Sequence, residues 1–130
     1  MSREHVGLVE AAYAAVDRDD IDALLALVHP EAEFRSLIAE SEGLVYHGHE
    51  GVREWWDTVA HSLGGLRFER ERIEGARDAG VTRLLIVATH EGVEVPQRMW
   101  NAWRVRDGLI VWWAVFRTEA EALEAVGLRE

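Results

Sequence analysis

Asn101 is the residue of this sequence whose type and surroundings most clearly predict binding chemistry. It lies in the strand-like run 97–106, which Asp107-Gly108 joins to a second run at 109–117. An Asp-Gly pair between two alternating runs is a strong signal for a β-hairpin with a two-residue turn. A turn centred on this pair surrounds Asn101, on its own face of the sheet, with Met99, Trp103, Trp112, Ala114 and Phe116. A lone amide on an apolar wall is typical of a pocket that orients a hydrophobic ligand.

The preceding strand, 81–90, extends this face. The turn that follows it contains Gly92, and centring that turn between positions 92 and 93 pairs Asn101 with Leu84. The same register pairs Met99 with Ile86. Leu84 and Ile86 therefore join the expected pocket wall, because directly paired residues share one face.

Two further side chains are candidates for chemistry. His90 ends the strand, six residues beyond Leu84, which places it about 20 Å from Asn101 at the strand rise. We therefore expect His90 to be a rim residue, although histidine is also the residue type most suited to a general base. Tyr13 lies on a helical pattern, and its hydroxyl either points into the pocket or packs in the core.

The opposite face of the same strands predicts a protein interface. It carries Trp100 and Trp113 among Arg83, Arg98 and Arg104. Tryptophan and arginine are enriched where proteins associate, and contiguous exposed apolar surface is rare on monomers. We therefore expect a homodimer that forms through the sheet face bearing Trp100 and Trp113.

The elements that position these side chains begin with helices. The predicted helices are 3–17, a short one that Asp19 or Asp20 caps and Pro30 follows, one from about Gly48 to Gly64-Gly65, and 118–126. The helix from Gly48 buries Trp55 on its apolar face, and this ring is a candidate for the cavity mouth.

Strands fill the rest of the chain. Glu31–Leu37 is a short strand with Phe34 and Ser36 on its inward face, and the charged run Arg67–Glu74 suits an exposed edge. Helices followed by a meander of antiparallel strands predict an α+β fold. The sequence shows no linker or internal repeat, so we expect residues 1–130 to form one domain.

Composition excludes several classes of function. The chain has 130 residues, 48% of them hydrophobic and 29% charged, with a formal net charge of −10. Nucleic acids and anionic membranes are poor partners for such an acidic chain, because both attract basic patches. The sequence contains no cysteine, which removes disulfides, thiol nucleophiles and zinc–thiolate sites. We expect a soluble, cytoplasmic protein.

The segment His47-Gly48-His49-Glu50 invites interpretation as a metal site. Two histidines two residues apart chelate a metal only in an extended segment, and a third ligand would have to come from His29 or Glu33. The alternative is a loop that precedes the third helix, with Glu50 favourably placed at the helix N-terminus. We assign no metal and no cofactor to the sequence.

Two segments, 20–34 and 46–56, carry a family resemblance. The first reads DIDALLALVHPEAEF and the second YHGHEGVREWW. Their order and spacing resemble the SnoaL-like branch of the nuclear transport factor 2-like superfamily, which includes ketosteroid isomerases, polyketide cyclases and binding domains. The resemblance implies a curved antiparallel sheet wrapped around the N-terminal helices, a cone-shaped apolar pocket and dimerisation through the sheet.

The catalytic residues of these relatives are largely missing. In a ketosteroid isomerase alignment the base position falls on Ser36, the oxyanion tyrosine on Ala12 beside Tyr13, and the protonated acid on Asn101. Of the residues at these three positions, only Asn101 can still fill its role, because its amide can donate a hydrogen bond to an oxyanion. The histidine and aspartate of the cyclases correspond to His90 and Asn101, so the acid is absent. The resemblance therefore implies the fold more strongly than any reaction.

We expect this chain to bind a small hydrophobic molecule that bears a carbonyl or hydroxyl group. Cofactor-free isomerisation, dehydration or cyclisation would be the fitting reaction, and the alternative is a non-catalytic module with a largely filled pocket. The residues expected to bind the ligand are Asn101, Tyr13, Phe34, Ser36, Trp55, Leu84, Ile86, Met99, Trp103, Trp112 and Phe116. The catalytic candidates are Asn101, His90 and Tyr13, with His29, Glu40 and Glu42 as further candidates for a base.

Overall fold

A computed structural model describes residues 3–35, 45–57 and 66–127. The helices are α1 Arg3–Asp17, α2 Ile21–Leu25, α3 Gly48–Trp55 and α4 Glu119–Ala125. The strands are β1 Val28–Arg35, β2 Tyr46–His47, β3 Leu66–Ala76, β4 Ala79–His90, β5 Val93–Arg106 and β6 Leu109–Phe116. The predicted end of the third helix at Gly64-Gly65 lies outside the described residues.

One curved, open sheet contains all six strands in the order β2-β1-β6-β5-β4-β3. Neighbouring strands are antiparallel except β1 and β6, which run parallel. Helix α1 packs against the inner face of the sheet. The largest fully buried side chains lie in this layer, among them Tyr13 of α1 and Leu84 and Trp103 of the sheet. The predicted α+β class is confirmed, and β3 is the charged edge strand that the sequence indicates.

Side-chain caps begin the two short helices. Asp20 caps α2, because its Oδ1 accepts a hydrogen bond of 3.1 Å from the Ala23 backbone N–H. Thr118 caps α4 in the same way, with 3.2 Å to the Glu121 backbone N–H. The strand after α2 begins earlier than predicted, at Val28, since proline favours an extended residue before it and cannot continue a helix.

The β5–β6 hairpin forms at Asp107-Gly108, as predicted, with φ angles of 55° and 75°. A β-bulge then opens between Arg104 and Val105, because Val105 pairs with Ile110 whereas Arg104 pairs with Trp112. The extra residue on β6 reverses the facing of every later side chain on that strand.

The predicted positions of three β6 residues are therefore wrong. Trp112, Ala114 and Phe116 lie on the outer face of the sheet, opposite to the cavity. Trp113 and Val115 take their places on the inner face, where they pair directly with Trp103 and Asn101.

The β4–β5 turn also differs from the predicted one. It consists of Glu91-Gly92, both with positive φ, at 49° and 80°. Asn101 consequently pairs with Thr82 rather than Leu84, and Met99 pairs with Leu84 rather than Ile86. A shift of two residues preserves the alternation of faces, so Leu84 and Ile86 remain on the inner face as predicted.

Candidate functional site

A small apolar cavity of about 50 Å³ lies between the helices and the inner face of the sheet. Side chains from α1, α2, α3 and four strands border it. The bordering residues are Ala12, Tyr13, Val16, Leu24, Val28, Ala32, Glu33, Phe34, Trp55, Phe68, Asn101, Ile110, Trp113 and Val115. The polar residues among them are Asn101, Tyr13 and Glu33, and the others are apolar, an arrangement typical of small-molecule sites.

Aromatic rings form a large part of the cavity wall. Trp113 meets Tyr13 edge to face, with ring centroids 5.2 Å apart, and stacks near Phe34 at 6.3 Å. Phe34 also packs on Trp55, with centroids 4.9 Å apart. Edge-to-face and offset contacts at these distances are favourable and hold the rings in fixed orientations.

Asn101 is the polar residue at the centre of this wall. It is 1% exposed, and its Oδ1 accepts a 2.8 Å hydrogen bond from the Tyr13 hydroxyl on α1. Its amide nitrogen, Nδ2, is buried and has no hydrogen-bond partner among the described residues. A buried donor without a partner costs free energy, and a ligand oxygen would remove that cost.

Thr82 is a buried polar residue that sequence reasoning missed. It pairs with Asn101 across β4 and β5, and its Oγ1 accepts a hydrogen bond of 3.2 Å from Trp103 Nε1. Trp103 in turn pairs with Gly80, which leaves room for the indole ring against β4. The signal was available: a turn centred on Glu91-Gly92 places Thr82 opposite Asn101.

Tyr13 remains a hydrogen-bond donor over the whole accessible pH range. Its burial raises the pKa of the hydroxyl far above the ordinary value, while the charge of Arg70 opposes that rise. The Arg70 guanidinium lies 5.2 Å from the centroid of the Tyr13 ring. Arg70 is itself bound to Asp17 and, at 2.9 Å, to the Phe68 carbonyl, so β3 holds this ring on α1.

The structure sorts the predicted binding residues into four groups. Tyr13, Phe34, Trp55 and Asn101 border the cavity. Four others lie on the inner face of the sheet but do not border the cavity, namely Leu84, Ile86, Met99 and Trp103. Trp112 and Phe116 lie on the outer face, and Ser36 lies outside the described residues, as do Glu40 and Glu42.

The ionisable candidates do not converge on Asn101. His90 is the last residue of β4, eight positions from Thr82, which corresponds to about 26 Å along the strand. Glu33 borders the cavity, but its Oε2 accepts hydrogen bonds from Arg35 at 2.9 Å and from Trp112 at 3.1 Å. The hydrogen bond from Arg35 lowers the pKa of Glu33, so this carboxylate is ionised and engaged away from the amide.

Two histidines that were considered as metal ligands, His49 and His29, have structural contacts. His49 Nε2 lies 2.7 Å from the Val28 carbonyl oxygen, which ties α3 to β1. His29 Nδ1 accepts a hydrogen bond of 3.0 Å from the Glu31 backbone N–H. In the described part of the chain, no three histidine, aspartate or glutamate side chains are grouped so that they could hold a metal ion.

A family model covers most of this chain. Residues 9–113 match the model described as the SnoaL-like domain. The chain belongs to the SnoaL-like family. The resemblance carried by segments 20–34 and 46–56 is thereby confirmed. No curated protein matches this SnoaL-like domain. Within the described ranges, no helix has both the length and the apolar character needed to cross a bilayer.

Solved structures share the fold of this SnoaL-like domain. TerC, co-crystallised with polyporic acid, aligns with a TM-score of 0.79 at 21% identity, covering 95% of this chain and 98% of TerC. A nuclear transport factor 2-like protein of unknown function from Burkholderia pseudomallei K96243 gives 0.80 at 21% identity, covering 95% and 97%. RV0760c from Mycobacterium tuberculosis, in complex with estradiol-17beta-hemisuccinate, gives 0.77 at 17% identity, covering 91% and 96%. Identities this low show a common fold alone.

Proposed function

We propose that this SnoaL-like domain binds a small hydrophobic molecule through a carbonyl or hydroxyl oxygen. The ligand's rings would lie against Phe34, Trp55 and Trp113, and its oxygen would accept a hydrogen bond from Asn101 Nδ2. The observation that carries the proposal is this buried amide nitrogen, which has no partner among the described residues and belongs to a residue that borders an apolar cavity. Proteins seldom leave such a donor unsatisfied without a functional reason.

Two proteins of the same fold support the proposal, because their crystal structures contain small organic compounds. TerC was co-crystallised with polyporic acid, and RV0760c was solved in complex with estradiol-17beta-hemisuccinate. Both compounds combine apolar rings with oxygen groups, the combination that the present cavity would accommodate.

The cytoplasmic location stays a prediction of the sequence.

Binding is better supported than catalysis by the described side chains. Isomerisation, dehydration and cyclisation need a general base within hydrogen-bond reach of the reacting proton. Tyr13 is protonated, and Glu33 is engaged by Arg35 and Trp112. A reaction in this cavity would require a base from residues outside the described ranges, so we propose a binding site in which Asn101 can polarise a carbonyl.

The cavity volume favours a second candidate, a non-catalytic module with a filled pocket. About 50 Å³ holds roughly four water molecules, and a ring ligand would need the aromatic wall to open. In this alternative the rings of Tyr13, Phe34, Trp55 and Trp113 are simply the core of the domain. The two candidates differ in whether any apolar carbonyl compound stabilises the fold.

A thermal-shift screen separates these candidates. We expect at least one compound in a panel of steroids, aromatic polyketides, terpenoids and short carbonyl compounds to raise the Tm. A ligand present at 100 times its Kd stabilises the folded state by about 2.7 kcal/mol, which corresponds to a shift of several degrees. A panel without a single shift would favour the filled module.

We also propose that the domain forms a homodimer through the outer face of the sheet. The bulge changes the composition of this face: Trp112 and Phe116 join Trp100, whereas Trp113, predicted to lie there, faces the cavity. Helix α4 packs on part of the face, through Ala122 and Val126. The tryptophans beside the helix remain half-buried, and such aromatic surface is typical of association sites.

Sedimentation velocity at micromolar concentration tests this interface. Leu85 is half-buried on the outer face, so Leu85→Arg would place a charge in the proposed interface and should raise the dimer dissociation constant at least tenfold. Gln97→Arg adds the same charge to the inner-face side of β5, where Gln97 is exposed, and should leave the dimer intact. A monomeric wild-type protein, or a Leu85→Arg protein that dimerises normally, would contradict the proposal.

A further inference from the structure

A small recess lies on the outer face of the sheet, between helix α4 and the strands β3, β4 and β5. Side chains from all four of these elements border it. Its volume is about 10 Å³, which is roughly the room that one water-sized group needs. The recess is separate from the aromatic cavity, because that cavity lies on the inner face of the sheet.

Two buried hydrogen-bond donors border this recess. They are Trp100 Nε1 and Arg83 Nε, on residues that pair directly across β5 and β4. Neither atom has a hydrogen-bond partner in the described structure. Glu71 Oε2 lies 3.9 Å from Arg83 Nε, which is beyond hydrogen-bond distance, and Glu71 Oε1 already accepts from Arg98 at 2.5 Å. Buried donors without acceptors cost free energy, and an oxygen atom placed in the recess would remove that cost.

The charges around the recess favour an acceptor without net charge. Two arginines and two glutamates border it, namely Arg72, Arg83, Glu74 and Glu119. Arg72 is bound to Glu74. A carboxylate that entered this balanced set would find no surplus cation among the described residues at the recess, and a buried charge without a partner is unfavourable. A carbonyl oxygen adds no charge and can accept from both an indole N–H and a guanidinium N–H.

We propose that this recess accepts a carbonyl oxygen from a second copy of the chain, to which Trp100 Nε1 and Arg83 Nε donate. This inference rests on the proposed homodimer and names a polar contact within it. The recess holds one small group, so the rest of its occupant must lie on the surrounding surface, where half-buried Phe116 pairs with Trp100. Each copy carries a formal charge of −10, which favours contacts that add no further negative charge. A two-fold interface forms the contact twice.

Trp100→Phe tests the indole donor. The variant removes Nε1 and keeps an aromatic ring, so each copy would lose one hydrogen bond to the other. Because a two-fold dimer contains this contact twice, we expect the dimer dissociation constant to rise at least about tenfold in sedimentation equilibrium.

Trp112→Phe is the matched control, because Trp112 lies on the same face and loses the same part of its ring. Its Nε1 already donates to Glu33 Oε2 at 3.1 Å within the chain. We expect Trp112→Phe to raise the dimer dissociation constant at least about threefold less than Trp100→Phe does. In chemical denaturation of the monomer, however, Trp112→Phe should lower the unfolding free energy more. Loss of aromatic area alone would not produce this opposite order of the two effects.

Arg83→Met tests the second donor without changing an aromatic ring. The variant removes Nε and should also raise the dissociation constant at least about tenfold. Arg67→Met removes the same charge from β3, where the guanidinium donates to Glu94 at 2.7 Å and to Glu69 at 2.8 Å. This control should leave the dissociation constant within about threefold of the wild-type value.

Each outcome decides the proposal. A monomeric wild-type protein would overturn the homodimer and, with it, the second copy as the occupant of the recess. A dimer in which Trp100→Phe acts no more strongly than Trp112→Phe, or Arg83→Met no more strongly than Arg67→Met, would overturn the donor role and leave the homodimer in place. Exchange of chloride for acetate at constant ionic strength should not weaken the wild-type dimer, and competition by acetate would overturn the uncharged acceptor.

Discussion

Asn101→Leu should lower the affinity for a carbonyl ligand by about 10- to 100-fold. Leucine keeps the branching of the side chain but removes Nδ2, which is buried, has no other partner in the described chain and belongs to a residue that borders the cavity. The ligand oxygen would then be buried without a donor, and an unpaired buried polar group costs about 1–3 kcal/mol. Calorimetric titration with a compound identified in the screen, or with 1-indanone, measures this loss.

The stability of Asn101→Leu needs a matched control, because Tyr13 loses its acceptor in the variant. Val105→Ala provides one: Val105 is 3% exposed, lies four residues along the same strand and does not border the cavity. A core truncation of this kind costs about 2 kcal/mol and should leave the affinity unchanged. An Asn101→Leu protein with wild-type affinity, or a Val105→Ala protein with an equal loss of affinity, would contradict a binding role for the amide.

The sequence was sufficient to predict the face of the sheet that Asn101 occupies, but not the residues with which it pairs. A polar residue among the apolar residues of an alternating strand can be recognised from the sequence, whichever residues it pairs with. The Asp107-Gly108 turn was also predicted correctly. The β4–β5 turn was placed one position too late, which moves the register by two residues. The predicted face of Asn101 was correct despite that error, whereas its pairing with Thr82 was missed.

The bulge on β6 could not be predicted, for a physical reason. The segment Leu109–Phe116 is apolar at every position, so both faces of the strand look equally suited to burial. A one-residue slip normally exposes apolar groups and buries polar ones, which costs free energy. This cost is the reason that a strand register can be predicted from the sequence. No such penalty exists here, and Trp112 and Trp113 are chemically interchangeable from the sequence. Trp113 was therefore predicted to lie on the outer face of the sheet, although it borders the cavity.

Gly80→Ala should cause a loss of stability of about 2–3 kcal/mol. A Cβ atom at this position would lie 2.4 Å from the Glu74 backbone oxygen and 2.4 Å from Cζ2 of Trp103. The backbone contact cannot be relieved by a rotamer change, and the indole ring is fully buried, so the strand pair or the ring must shift. For a domain of this size we expect the Tm to fall by about 10 °C.

The same substitution elsewhere in the chain supplies the control. Gly7 lies on the exposed side of α1, and a Cβ there meets no atom within 4 Å. Gly7→Ala should raise the stability by up to about 1 kcal/mol, because alanine favours a helix over glycine. Chemical denaturation of both variants therefore gives changes of opposite sign, and a Gly80→Ala protein as stable as the wild type would show that the space beside Trp103 is not needed.

A double-mutant cycle tests the packing of Gly80 against Trp103. In a Trp103→Phe background the ring atoms nearest to Gly80 are absent, so the cost of Gly80→Ala should fall although the clash with the Glu74 oxygen persists. The coupling energy then measures how firmly Gly80 and Trp103 are packed against each other. An unchanged cost of Gly80→Ala in that background would show that the indole ring does not limit the space at Gly80.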